Sequence, residues 1–104
     1  MRPRAVLHRS ATPLARERLP DAQDYFNREL DTLHGRGPWR SALCPFHTER
    51  TPSLRVHVET GAFRCMACGA HGGDLIAFHM QRRNVDFKTA CIALGCWTGG
   101  RRHA

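Results

Sequence analysis

"CPFHTERTPSLRV", residues 44–56, sets a cysteine and a histidine around a Pro-Phe pair and then runs into an alternating, strand-like segment. "CMAC", residues 65–68, repeats the spacing with two cysteines, with 17 residues lying between His47 and Cys65. Two residues between the members of a pair let one tight turn aim both side chains at a single ion, and tetrahedral zinc takes four such ligands. Cys44, His47, Cys65 and Cys68 therefore form the expected metal set. The segment between the pairs reads as a hairpin that folds the second pair onto the first. Three thiolates and a neutral imidazole leave the loaded site with a net charge of about −1. His71, three residues after Cys68, competes for the fourth position. His47 is preferred because it completes the paired spacing. A redox role for the lone CxxC would call for a neighbouring βαβ unit, and the pattern contains none. Four protein ligands close the site to water and substrate, so one structural zinc that holds the fold is expected, with no catalytic residue.

The remaining cysteines do not change this. Five cysteines cannot all pair within the chain, and clustered cysteines in a reducing compartment bind metal more often than they form disulfides. Cys91 falls on a helical apolar face and reads as a buried small hydrophobe. Cys96 reads as a free thiol near the end. The basic N-terminus lacks the apolar run of a signal peptide, and no segment has the length to cross a bilayer. The expectation is a cytoplasmic protein with no membrane partner.

At 104 residues the chain has room for one small domain, which is the size class that benefits from a metal staple. Residues 1–20 mix Arg, Pro and Ala without periodicity and read as a flexible basic arm. The domain proper is expected over 21–96. "PDAQDYFNRELDTLHG" predicts a helix capped by Asp21, with Ala22, Tyr25, Phe26, Leu30 and Leu33 on one face and Gly35 ending the run. "WRSAL" reads as a short strand. In "SLRVHV", Leu54, Val56 and Val58 point to one side and Ser53, Arg55 and His57 to the other. "AFRC" returns as the second hairpin strand, in a register that the sequence leaves open. Two helices follow, capped by Asp74 and Asp86, with Leu75, Ile76, Phe78 and Met80 on the first and Phe87, Ala90, Cys91 and Leu94 on the second. Residues 97–104 read as a disordered basic tail. The fold class is a small α+β zinc ribbon, an antiparallel sheet or hairpin flanked by helices.

Charge points to an anionic partner. There are 16 Lys and Arg against 9 Asp and Glu, a formal +7, carried largely by the two ends. Such a balance fits nucleic acid but also fits solvated tails.

"CPFHTERTPSLRV", followed by "GAFRCMACGAHGGDLIAFHM", resembles the N-terminal zinc-binding domain of bacterial and phage DNA primases. The likeness extends back through "GPWRSAL" and the Asp21–Leu33 segment and forward to about Leu94. It implies the same four zinc ligands and a role in binding single-stranded template DNA where a primer starts. In that family a separate TOPRIM-type domain holds the catalytic acids. With eight residues after Cys96, the chain is expected to recognise DNA in trans with a primase, polymerase or helicase on another polypeptide, or to serve a phage or mobile element. Arg40, Arg50, Arg55, His57 and Arg64 are the candidate DNA contacts, with Phe63 assigned to the core. Arg82, Arg83 and Lys88 are assigned to a solvated surface. The alternative is an adaptor that docks on a replication or transcription protein through its apolar helix faces and regulates it. A third reading, residual primer synthesis by the chain itself, would be excluded if no primer formed in a mixture lacking another polymerase.

Overall fold

The computed structural model describes residues 14–48 and 50–99. Among these residues, a 3-10 turn at Arg16–Arg18 and three α-helices, α1 (Ala22–Glu29), α2 (Leu75–Arg83) and α3 (Phe87–Leu94), accompany four strands: β1 (Trp39–Ala42), β2 (Leu54–His57), β3 (Phe63–Cys65) and β4 (His71–Gly72). The strands form one antiparallel sheet in the order β1-β2-β3-β4.

All three expected helix caps form. Asp21, Asp74 and Asp86 accept the backbone N–H of Asp24 (3.1 Å), Ala77 (2.9 Å) and Thr89 (2.8 Å), satisfying donors that a first turn leaves open. α1 is shorter than its apolar pattern suggests. Its last residue is Glu29, and Leu30 turns to an extended conformation while remaining buried. The cause lies downstream, where His34 and Ser41 exchange backbone hydrogen bonds of 2.8 and 2.9 Å. Leu33 still packs against the core, but from an extended segment rather than a helix.

β2 alternates as expected, with Leu54, Val56 and Val58 buried. These join Ala42, Phe63 and Cys65 on the inner face, against α1 and α2. Phe78 of α2, fully buried, is the hub of this core. Its ring meets those of Phe26 (5.1 Å between centroids), Phe63 (5.0 Å), Phe46 (5.5 Å) and Tyr25 (5.9 Å), all in edge-to-face geometry. Phe46 belongs to the first Cys-x2-His pair, so the Pro-Phe stretch ties that knuckle to the core.

The glycine-rich stretch after Cys68 gives no strand signal, yet it forms β4. A Cβ on Gly72 would stand 2.6 Å from both the Phe63 ring and the Ala77 Cβ, so only glycine lets β4 lie this close beneath α2.

The domain limits differ from 21–96 at both ends. The Ala15 N–H donates to the Cys96 carbonyl (2.9 Å), and Leu14 bridges Trp97. Leu14, Leu19 and Trp97 cover a second apolar cluster of Ile76, Ala90, Cys91 and Cys96. Leu14–Pro20 is thus part of the packed domain rather than an arm, because α2 and α3 offer apolar surface that it covers. Residues 1–13 of the expected arm and 100–104 of the expected tail lie outside the described residues. Cys91 is buried as expected, and Cys96 is buried beside it rather than left near a free end. Gly95, at φ 83°, closes α3, with the Cys96 N–H donating to the Cys91 carbonyl at 3.0 Å. Phe87, expected on the inner face, stays 42% exposed at the start of α3. No described helix is long and apolar enough to cross a membrane.

Candidate functional site

The turn after β1 carries Cys44 and His47, while Cys65 ends β3 and Cys68 lies in the turn that follows it. Pairing of β2 with β3 brings the two turns to the same end of the sheet. The four ligand atoms all lie within 4.8 Å of one another, and the Cys44 and Cys68 Sγ atoms are 3.9 Å apart. Tetrahedral zinc with bonds of about 2.3 Å to sulfur requires sulfurs roughly 3.8 Å apart, so the donor set fits the ion. His71, the competing ligand, is not in the cluster. It is exposed at the start of β4, with Nδ1 2.9 Å from the Gly69 carbonyl.

Backbone donors already point at the sulfurs. Phe46 N–H approaches Cys44 Sγ, and the N–H groups of Ala67 and Cys68 approach Cys65 Sγ, each at 3.4 Å. The Ser53 hydroxyl lies 3.4 Å from Cys65 Sγ. Such outer-shell donors orient ligands and stabilise thiolates. Burial disfavours ionisation of Cys65, but the Ser53 hydroxyl and the Cys68 and Ala67 N–H groups outweigh it and bring the thiol down to about 6. Burial pushes Cys44 up to about 12, and its proximity to Cys65 and Cys68 adds to the rise despite the Phe46 N–H. Without a metal, the cluster does not hold three thiolates side by side. Cys44, His47, Cys65 and Cys68 would together hold one zinc, whose positive charge would resolve this, and with four protein ligands such a site would keep no open position for hydrolysis.

The sheet's outer face carries the other candidates. Register places Ser41, Arg55, Arg64 and His71 in one cross-strand row, with Trp39 opposite His57 beside it. Arg55 and Arg64 are exposed, and neither makes an ion pair with a described residue. Arg40 does not join them. Its partners in register are Val56 and, one strand further, Phe63, so it has the parity of the inner face, and its Nε donates to the Gly37 carbonyl at 2.7 Å. Arg50 is exposed in the loop before β2, apart from the row. Phe63 is buried, as assigned.

Sequence reasoning passes over two residues of this face, Trp39 (42% exposed) and Met66 (67%). With Arg55 and Arg64 they line a shallow cleft of about 250 Å³. A second hollow of about 370 Å³ lies between Trp39, Arg64 and His71. The signal for Trp39 is present in "WRSAL": it shares parity with Ser41 and opposes Ala42, so an inward Ala42 puts the indole outside.

Comparison with known proteins agrees with this arrangement. The CHC2 zinc finger family matches residues 27–99. A DNA primase of Chlamydia pneumoniae is 45% identical over 58 residues, covering 56% of this chain and 10% of the relative. The Gene 58 protein of Mycobacterium phage D29 is 41% identical over 63 residues, covering 60% of this chain and 48% of that protein. The chain thus spans less than half the length of either relative. In three dimensions it resembles the crystal structure of the Aquifex aeolicus primase zinc-binding and RNA polymerase domains, with a TM-score of 0.63 and 30% identity over 73% of this chain and 18% of that one. Matched over well above half of its length, and with its four ligands gathered at one point, the chain belongs to the CHC2 zinc-finger family, the zinc-binding module of DNA primases.

Proposed function

We propose that the domain binds single-stranded template DNA through the outer face of its sheet during primer initiation, in concert with a primer-synthesising polymerase. The observation that carries this reading is the Arg55–Arg64 pair beside the exposed Trp39. Sequence-tolerant single-strand binding combines cations for the phosphates with aromatic surface on which bases stack, and this face offers both. The zinc holds the two turns that frame the sheet and takes no part in chemistry. The relatives named DNA primase, and the neighbour whose zinc-binding domain accompanies an RNA polymerase domain, support the replication setting.

The test is fluorescence anisotropy of the zinc-loaded protein with short single-stranded DNAs at two salt concentrations. Binding should weaken with salt. Removing one phosphate-binding cation, by Arg55→Ala or by Arg64→Ala, should reduce the log–log salt slope by about 0.7. Failure to bind at low salt would remove the reading.

A second reading, an adaptor that docks on a replication protein, is favoured by the exposure of Phe87 (42%) and Ile92 (55%) on α3. It is separable: association with a protein partner would survive Arg55→Ala and Arg64→Ala and weaken with Ile92→Ser.

A further inference from the structure

His57 is held differently from the arginines around it. Its Nδ1 accepts the backbone N–H groups of Glu59 (3.3 Å) and Thr60 (3.1 Å) in the hairpin turn. An acceptor role for Nδ1 places the proton of the neutral ring on Nε2. The Trp39 indole packs edge-on against the imidazole, with centroids 4.9 Å apart and planes at 89°, and so fixes its plane from the side. Nε2 is engaged by no protein group among the described residues, and it is not a buried atom. The result is one uncharged donor of fixed direction, two residues along β2 from Arg55 on the same face.

Resting on the single-stranded DNA reading above, we propose that His57 is a base-reading residue: its Nε2–H selects, at one template position, a base presenting a carbonyl oxygen. A neutral donor gains little from a phosphate compared with a guanidinium, so its use lies at a base edge. Thymine O4 and guanine O6 accept a hydrogen bond where cytosine N4 and adenine N6 donate one. A base with the amino group in that place leaves two donors facing each other. Arg55 and Arg64 then set affinity and salt dependence, Trp39 supplies the stacking surface, and His57 supplies the preference. A histidine that merely closes the turn would show none of this selectivity.

Oligonucleotides containing deoxyuridine or deoxycytidine at the varied positions isolate the exchange of carbonyl for amine without the thymine methyl group. Zinc-loaded protein should bind the deoxyuridine series about five-fold more tightly, the scale of one net hydrogen bond. His57→Asn keeps an acceptor for the turn N–H groups but withdraws the outward donor. It should bring the ratio to about one while leaving the salt slope and melting temperature unchanged. A ratio near one in the native protein, or a ratio that persists in His57→Asn, overturns the proposal and leaves the DNA-binding reading standing. Absence of binding to either series at low salt overturns both. Should His57→Asn melt early, imidazole ¹⁵N shifts of the native protein decide instead. The Nε2–H resonance should move on adding the deoxyuridine series and not the deoxycytidine series at equal saturation, and equal movement with both rejects the proposal.

Discussion

Arg55 on β2 and Arg64 on β3 stand directly opposite each other across the antiparallel pair, two guanidinium side chains on one exposed face. Like charges in this relationship cost stability, on the order of 0.2–1 kcal/mol. Arg64→Glu should therefore raise the melting temperature of the zinc-loaded domain while abolishing most single-stranded DNA binding. A variant that both melts higher and binds normally would show that the pair does not serve an anionic partner.

Ser53 tunes the metal centre through Cys65. Burial works against the Cys65 thiolate, and the Ser53 hydroxyl is foremost among the groups that bring its pKa to about 6. Zinc displaces the thiol proton, so Ser53→Ala should raise the pH at which half of the zinc is retained. The loss of affinity should be largest near pH 6 and smaller near pH 8, where the native and variant thiols are more nearly equal in ionisation. Chelator competition across that range measures it, and a pH-independent loss would mean the hydroxyl acts otherwise. Complete removal of zinc should unfold the domain, as followed by circular dichroism.

Gly72 should tolerate no side chain. Alanine would set a Cβ 2.6 Å from both the Phe63 ring and Ala77, and overpacking of this kind costs about 1–3 kcal/mol. Chemical denaturation of Gly72→Ala should show that loss. Gly73→Ala is the control, since a Cβ there meets nothing within 4 Å.

The Tyr25 hydroxyl and His79 Nδ1 lie 2.7 Å apart at the edge of the aromatic core. Burial, helped by the nearby Arg83 and opposed by Glu29, holds His79 below its ordinary value of 6.5. The neutral ring is thus favoured in the folded state. This contribution to stability is present above the unfolded pKa near 6.5 and is lost as pH falls through the folded value. His79→Gln should melt with a shallower pH dependence between 7.5 and 5.5 than the native chain. Tyr25→Phe should cost about 1 kcal/mol at pH 7.5, measured by denaturant titration.

Much of this protein could be read without coordinates. The two spaced pairs, Cys44 with His47 and Cys65 with Cys68, carry their geometry in a few residues each, because a tight turn alone decides where both ligands of a pair point. The caps at Asp21, Asp74 and Asp86 and the alternation of Leu54, Val56 and Val58 are equally local. What tertiary structure decided depends on residues far apart in the chain. α1 stops at Glu29 because Ser41 pairs with His34, and Leu14–Pro20 joins the domain because α2, α3 and Trp97 present a surface to it. Above all, strand register placed Arg55 against Arg64 and Trp39 against His57 while turning Arg40 to the other side. Side-chain alternation has a period of two, so a shift of one residue would exchange the faces, and only the packing of Phe63, Val56 and Phe78 selects which register buries the apolar set.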